Sequence, residues 1–221
     1  MAIYDLDRTV TFRPTYTLFL LGAARQLAAT RLLGTPLLAG LWIGHKLGLY
    51  SRDRLKSLMW AVMLGPADPV RLAEAVAAFV HRTLAGNIRP GARSQIARDR
   101  ADGALLVLAT AAHELYAAPI AAALGFDAVV ATLIRSRADG RIGPELADAN
   151  VYGGSKLIAL RRFLSGSEEA VACTPVTFYS DSSSDLPVFD WVDRAVAVNP
   201  SRRLARIAAA RGWPVVDWGR P

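Results

Sequence analysis

Cysteine is almost absent from this chain: Cys173 is the single one in 221 residues. No internal disulfide and no thiolate metal cluster can form, so nothing points to an oxidising compartment. Cys173 is expected to be a buried, inert thiol. Long hydrophobic runs are also missing. The uncharged stretches Pro14 to Ala24 and Leu32 to Gly44 fall short of the ~20 residues a spanning helix needs, so core or cap helices explain them better than a membrane span. There are three histidines, and His45 and His81 have no acidic or Cys partner at ligand spacing. Acids are missing from one long region, with no Asp or Glu between Asp7 and Asp53. Lysine is rare too: of 26 basic residues only Lys46, Lys56 and Lys156 are not Arg.

The net charge of +7 and pI near 10.1 raise the prospect of a nucleic-acid partner. Two Arg clusters, one at Arg89, Arg93, Arg98 and Arg100 and the other at Arg202, Arg203 and Arg206, lack interleaved aromatics, and no nucleic-acid module signature accompanies them. A solvated basic surface is the simpler account, and nucleic acid is disfavoured as a partner. The sequence leaves the oligomeric state open.

Against this background the acids are placed with some order. Ile3-Tyr-Asp-Leu-Asp-Arg-Thr9 ends a short apolar run with Asp5 and Asp7 two apart and Thr9 two further on. Side chains at i and i+2 of an extended segment point the same way, so both carboxylates can face one ligand while Leu6 faces the core. On its own the string also fits a turn with solvated acids. Three later features weigh against that. Ala104 to Ala109 is an apolar run ending at Thr110; Asn150 to Lys156 is a Gly-rich turn entering a helical pattern; and Pro175 to Ser180 is a β-type run ending in Asp181 and Asp185. Three of these four groups lie at the carboxyl ends of candidate strands, the edge where open α/β sheets bind ligands.

The remaining pattern supplies the alternation such a sheet needs. A strand at Ala2 to Tyr4 precedes a largely helical stretch from about Arg13 to Gly86, with Ser51 and Asp68-Pro69 as helix starts. Helices are expected at Gly91 to Arg100, Glu114 to Leu124, Lys156 to Phe163 and Ser201 to Arg211. Strands are expected at Leu105 to Ala109, Ala128 to Thr132, Val176 to Tyr179 and Ala195 to Val198, with a hairpin turning at Asp139-Gly140. The fold class read from this is α/β, a Rossmann-like, doubly wound, mostly parallel sheet. Residues 1–12 and 88–221 would form the core and residues 13–87 a helical cap domain inserted after the first strand.

In combination the four groups resemble the haloacid dehalogenase superfamily, in its phosphoserine-phosphatase-like branch, subfamily IB. Asp5, Asp7 and Thr9 match its first motif, Thr110 its second, Lys156 its third, and Asp181 to Pro187 its fourth. The resemblance implies a phosphomonoester phosphatase with a small-molecule phosphate ester as its partner and Mg²⁺ as cofactor. Asp5 would be the nucleophile that forms an aspartyl phosphate, and Asp7 the general acid and base. Thr110, Lys156 and the backbone around Leu6 and Arg8 would bind the phosphoryl oxygens, with Thr9 bracing the loop. The metal would be held by Asp5, Asp7 through its carbonyl, Asp181 and Asp185. Ala111, His113 and Arg13 are candidate substrate contacts, with surface or capping roles as the alternative for His113, where the branch often has Pro.

A cleavable signal peptide would remove Asp5 with its strand, so a cytoplasmic location is expected. Phosphoserine is disfavoured as substrate because the branch's early acid is missing and Ser184 stands where Asn is common. Between Val10 and Arg52 the ionic groups are Arg13, Arg25, Arg31, Lys46 and Arg52, among Tyr16, Phe19, Trp42 and many Leu. Such a face suits an anionic or amphiphilic phosphate and a peripheral contact with anionic membrane. Solvated arginines over a packed helical layer are the alternative.

Overall fold

Alternate strand residues join hydrophobic clusters on opposite faces of one sheet, and this sets the architecture. In the computed structural model, which describes residues 1–166 and 175–219, the first strand β1 (Ala2–Tyr4) is buried throughout. Ala2 and Tyr4 join one hydrophobic cluster while Met1 and Ile3 join another. Strand β2 (Leu106–His113) splits likewise, with Leu106 and Leu108 on one face and Val107 and Ala109 on the other. A strand apolar on both faces belongs to a sheet covered on both sides. The six strands run parallel in the order β3-β2-β1-β6-β7-β8, with β3 at Ala128–Thr132, β6 at Thr177–Ser180, β7 at Arg194–Val198 and β8 at Val215–Val216. Cys173 lies outside the described residues.

Between β1 and β2 the chain forms α1 (Thr15–Leu27), a 3₁₀ turn at Ala29–Gly34, α2 (Thr35–Lys46), α3 (Arg52–Met63), α4 (Pro69–Gly86) and α5 (Pro90–Ala101); these helices and α6 (Glu114–Leu124) share one hydrophobic cluster with Ala2, Tyr4, Leu106 and Leu108 on one face of the sheet. Helix starts form where the sequence supplies acceptors. Ser51 Oγ accepts from Arg54 N–H at 3.1 Å, and Asp68 Oδ1 accepts from Val70 and Arg71 N–H at 3.0 Å. Phe19 of α1, Phe79 of α4 and Tyr116 of α6 meet at centroid distances of 4.8–5.4 Å, which ties these helices to the layer on the sheet. Aromatic pairs of this kind add ~0.5–1.5 kcal/mol each beyond area burial. The opposite face carries α7 (Gly154–Ser165), α8 (Leu186–Phe189) and α9 (Arg202–Arg211).

The two chain crossings between β1 and the helical stretch run side by side. Thr11 bridges Ile88, Phe12 N–H donates to Asn87 O at 2.9 Å, and Arg13 N–H donates to Asn87 Oδ1 at 2.9 Å. The expected hairpin forms as β4 (Ile134–Ser136) and β5 (Ile142–Leu146), turning through Asp139-Gly140, where Gly140 adopts φ 77°. Ile142 pairs by backbone with Ala67, so the hairpin rests on the α3–α4 connection.

β2 departs from the expected strand, which ended at Ala109. It continues to His113, but the register slips: Ala109 faces Val130 and His113 faces Thr132, so four steps of β2 match two of β3. A bulge of this sort re-aims side chains next to a site, and Thr110 sits in it.

Candidate active site

Asp5 follows β1 directly, its N–H donating to Tyr179 O at 3.0 Å. The loop after it turns tightly. Thr11 N–H and Thr11 Oγ1 both donate to Leu6 O, at 2.9 and 3.1 Å, and Arg8 N–H donates to Thr11 Oγ1 at 3.2 Å. Arg8 adopts φ 66°, a left-handed conformation that a non-glycine holds only where surrounding bonds enforce it. The Leu6 side chain is fully buried in the core.

Thr9 joins the first and fourth sequence groups. Its hydroxyl donates to Asp5 Oδ2 at 3.2 Å and lies 3.5 Å from Asp181 Oδ1, while Asp181 N–H donates to it at 3.0 Å. Lys156, buried at the start of α7, donates to Asp5 Oδ1 and to Asp185 Oδ2, both at 2.8 Å. Gly153, at φ 59° just before α7, makes the turn that directs the lysine there. Ser180 Oγ also donates to Asp185 Oδ2, at 2.8 Å, whereas Asp185 Oδ1 is buried with no partner. Asp7 Oδ1 is held by Thr15 N–H at 2.8 Å and Thr15 Oγ1 at 2.7 Å.

The electrostatics follow from burying three carboxylates around one ammonium. Burial dominates at Asp5 and pushes it up to about 8; Lys156 pulls it back, and Asp185 and Asp181 push it further up. Burial, then the charge of Asp185, raises Asp181 to about 6. Asp7 is raised by burial against the Thr15 bonds. Burial works against the Lys156 ammonium, but Asp185 and Asp5 outweigh it and hold it charged beyond the ordinary lysine range. Such a site is short of positive charge, as one built for a cation and a phosphate would be.

A cavity of about 320 Å³ opens over these groups, with Asp5, Asp7, Thr110, Lys156, Asp181 and Asp185 in its wall. Arg8 and Ala111 line it too. Two of the expected substrate contacts do not. Arg13 reaches the Asn87 side chain through its backbone, because it lies in the crossing strand rather than over the cavity. His113 is buried against the rings of Tyr16, Trp60 and Tyr116, and burial pushes its imidazole well below the usual range; it is a packing residue that remains neutral.

Arg52, one of the basic residues expected to face an anionic phosphate, lines the cavity and stacks on Tyr152, which sequence reading missed, with the guanidinium 3.9 Å from the ring centroid. The signal for Tyr152 was its place as the aromatic inside the Gly-rich turn. Sequence reading also missed Lys56. This buried lysine of α3 donates to Ala111 O in the β2 bulge and to Asn150 Oδ1 at 2.8 Å. Thr132 Oγ1 lies within hydrogen-bond distance of the same two oxygens, at 3.0 and 2.9 Å, and donates its one proton to either.

The family pattern of the haloacid dehalogenase-like hydrolases matches residues 2–190. The chain belongs to this family. The phosphoserine phosphatase SerB1 of Mycobacterium tuberculosis is 32 % identical over 167 residues, covering 75 % of this chain and 52 % of that protein. A histidinol-phosphatase of Neisseria meningitidis is 27 % identical over 148 residues, covering 66 % and 67 %. A Bordetella pertussis crystal structure of a protein with unknown function superposes with TM-score 0.88 at 27 % identity, covering 99 % of this chain and 98 % of that one. The chain spans about half to three-fifths of the length of the first curated relatives it matches.

Proposed function

We propose that the protein is a Mg²⁺-dependent phosphomonoesterase that forms an aspartyl phosphate on Asp5. One observation carries this reading: Lys156 bridges Asp5 and Asp185 at 2.8 Å in a cavity that also holds Asp7. A dianionic phosphate and an anionic nucleophile repel each other, so attack needs fixed positive charge around the equatorial oxygens.

The donor set fits magnesium. Asp5 and Asp181 share the Thr9 hydroxyl, Asp185 Oδ1 lacks a partner, and every donor is a hard oxygen. Among the described residues no three Asp, Glu, His or Cys side chains close into a ready-made cage; magnesium characteristically takes one or two carboxylates and completes its shell with water and phosphate. Asp5, Asp181 and the Asp7 carbonyl would hold it, with Asp185 behind them. When bound, it would neutralise phosphoryl charge.

The chain's own groups supply the rest. Asp5, drawn towards its carboxylate form by the Lys156 ammonium and by the cation the site would hold, attacks phosphorus, and the phosphoryl–oxygen bond to the leaving group breaks. Asp7, whose hold on a proton burial strengthens and whose carboxyl Thr15 orients, gives its proton to the departing alkoxide. It then takes a proton from the water that hydrolyses the aspartyl phosphate. Lys156 and Thr110 hold non-bridging oxygens.

The substrate is a small phosphometabolite or a lipid phosphate. The cavity suits a compact head, and Pro14 and Arg52 are what the helical stretch contributes to its wall. With a cation and no carboxylate on that side, the leaving group is anionic or π-rich rather than an ammonium, which disfavours phosphoserine as the alternative. The relatives' named activities differ between a phosphoserine and a histidinol phosphatase, so relatedness does not choose. The test is a screen of sugar phosphates, nucleotides, phospho-amino acids and phosphatidylglycerol phosphate, with and without EDTA. Metal-independent turnover would contradict the reading, and preference for phosphoserine would contradict the substrate class. No gel shift with nucleic acid is expected.

A further inference from the structure

Helix α2 is apolar around nearly its whole circumference yet lies on the surface. Of its twelve residues only Leu38 and Gly44 are buried. Among the described residues, eleven large hydrophobic side chains are exposed, and six of them, Leu33, Leu37, Trp42, Ile43, Leu47 and Leu49, fall in this one stretch. They are 54–86 % exposed. A helix hydrophobic on all sides is normally enclosed, and a contiguous apolar patch on a surface marks a contact site.

Charge selects what covers it. From Arg8 to Arg52 every ionic residue is a cation, and Lys46 is the one charged residue on α2. Lys46 Nζ lies 5.0 Å from the centre of the Trp42 ring, which places an indole and an ammonium together at the helix end. Arg31 donates to Ala61 O and Val62 O, at 2.8 and 3.2 Å, and so is fixed at the other end. A second copy of the chain meeting this face symmetrically would bring cations to both sides of the contact, with no carboxylate from residues 8–52 to offset them. Twelve helical residues reach ~18 Å, short of the ~30 Å of a bilayer core. Aromatic, aliphatic and basic side chains on a helix too short to span are the composition that lies in the interface of an anionic bilayer.

We infer that α2 and its flanking turns, residues 33–49, form a docking surface for an anionic phospholipid bilayer. This surface does not depend on the proposed reaction. It does connect to that site through the chain, since Arg52 in the cavity wall follows Leu49 by three residues.

Sedimentation with phosphatidylcholine vesicles, with and without phosphatidylglycerol, tests it on the full chain. The protein should bind the anionic vesicles roughly tenfold or more tightly than the neutral ones, and salt should weaken the binding. Brominated lipid should quench the parent's tryptophan fluorescence more than that of Trp42→Phe. The double variant Trp42→Glu, Ile43→Glu should lose vesicle binding while turning over soluble p-nitrophenyl phosphate like the parent, which verifies its fold. Absence of binding to anionic vesicles at low salt would overturn the inference. So would equal binding by parent and double variant, or a concentration-dependent dimer abolished by the same substitutions and unaffected by vesicles.

Discussion

Thr15, the first residue of α1, holds the carboxylate of Asp7 twice, through its N–H at 2.8 Å and its hydroxyl at 2.7 Å. The start of the helical stretch therefore orients the proposed acid and base. Replacing Thr15 by Val removes the hydroxyl bond and keeps the backbone one. The expected result is a loss of roughly tenfold in kcat with little change in KM, a fraction of the 10²–10⁴ a positioned acid–base contributes. Thr15→Ser should retain activity. A Val variant with unaltered kcat would mean that Asp7 is oriented by other groups.

Lys156 should matter more. Lys156→Met leaves Asp5 and Asp185 facing each other without their ammonium. A fall in kcat on the order of 100-fold, about 2.7 kcal/mol, is expected by analogy with deleting one preorganised charge-stabilising donor. Asp181→Asn should cost a similar factor and shift the Mg²⁺ dependence to higher concentration. Less than a tenfold change in both would mean the roles are misassigned.

Lys56 gives a pH signature in stability. Burial lowers it to about 7 from 10.5, so between those values the unfolded chain holds a proton that the folded one does not. Stability then rises with pH across this window, because the cost of the buried charge, complete below pH 7, fades towards pH 10.5. Lys56→Met lacks that cost. Its Tm relative to the parent should be most favourable near pH 6 and decline by pH 9.5. A difference in Tm that does not vary with pH would contradict this.

We propose that residues 13–87 act as a cap that closes over the cavity. The paired crossings at Phe12–Asn87 and Thr11–Ile88 are its hinge, and an aspartyl phosphate needs shielding from untimely water. Hydrogen exchange with beryllofluoride bound should protect the N-termini of α1 and α3 and both crossings. Identical exchange in the two states would argue for a fixed site.

Much of the fold and the site's charged centre was legible because each signal is local. Apolar, β-type runs marked β1, β6 and β7; Ser51 and Asp68 marked helix starts; and Asp5, Lys156 and Asp181 lie at the ends or starts of elements. What escaped depends on distant partners. The β2 bulge arises from its register with β3, and Lys56 reads as a solvated helix lysine until Ala111 and Asn150 are seen to receive it. His113 looked placed for substrate by its distance from Thr110, but the turn into α6 points it at Tyr16 and Trp60.

The central claim is that Asp5 carries the phosphoryl group. Single turnover with a reactive aryl phosphate, acid quench, borohydride reduction and peptide mass spectrometry reads this directly. The account predicts that reduction converts residue 5, and no other aspartate, to homoserine in the quenched enzyme, and that Asp5→Asn yields no reducible acyl phosphate. Phosphorylation at another residue, or turnover by Asp5→Asn at the parent's rate, would contradict it.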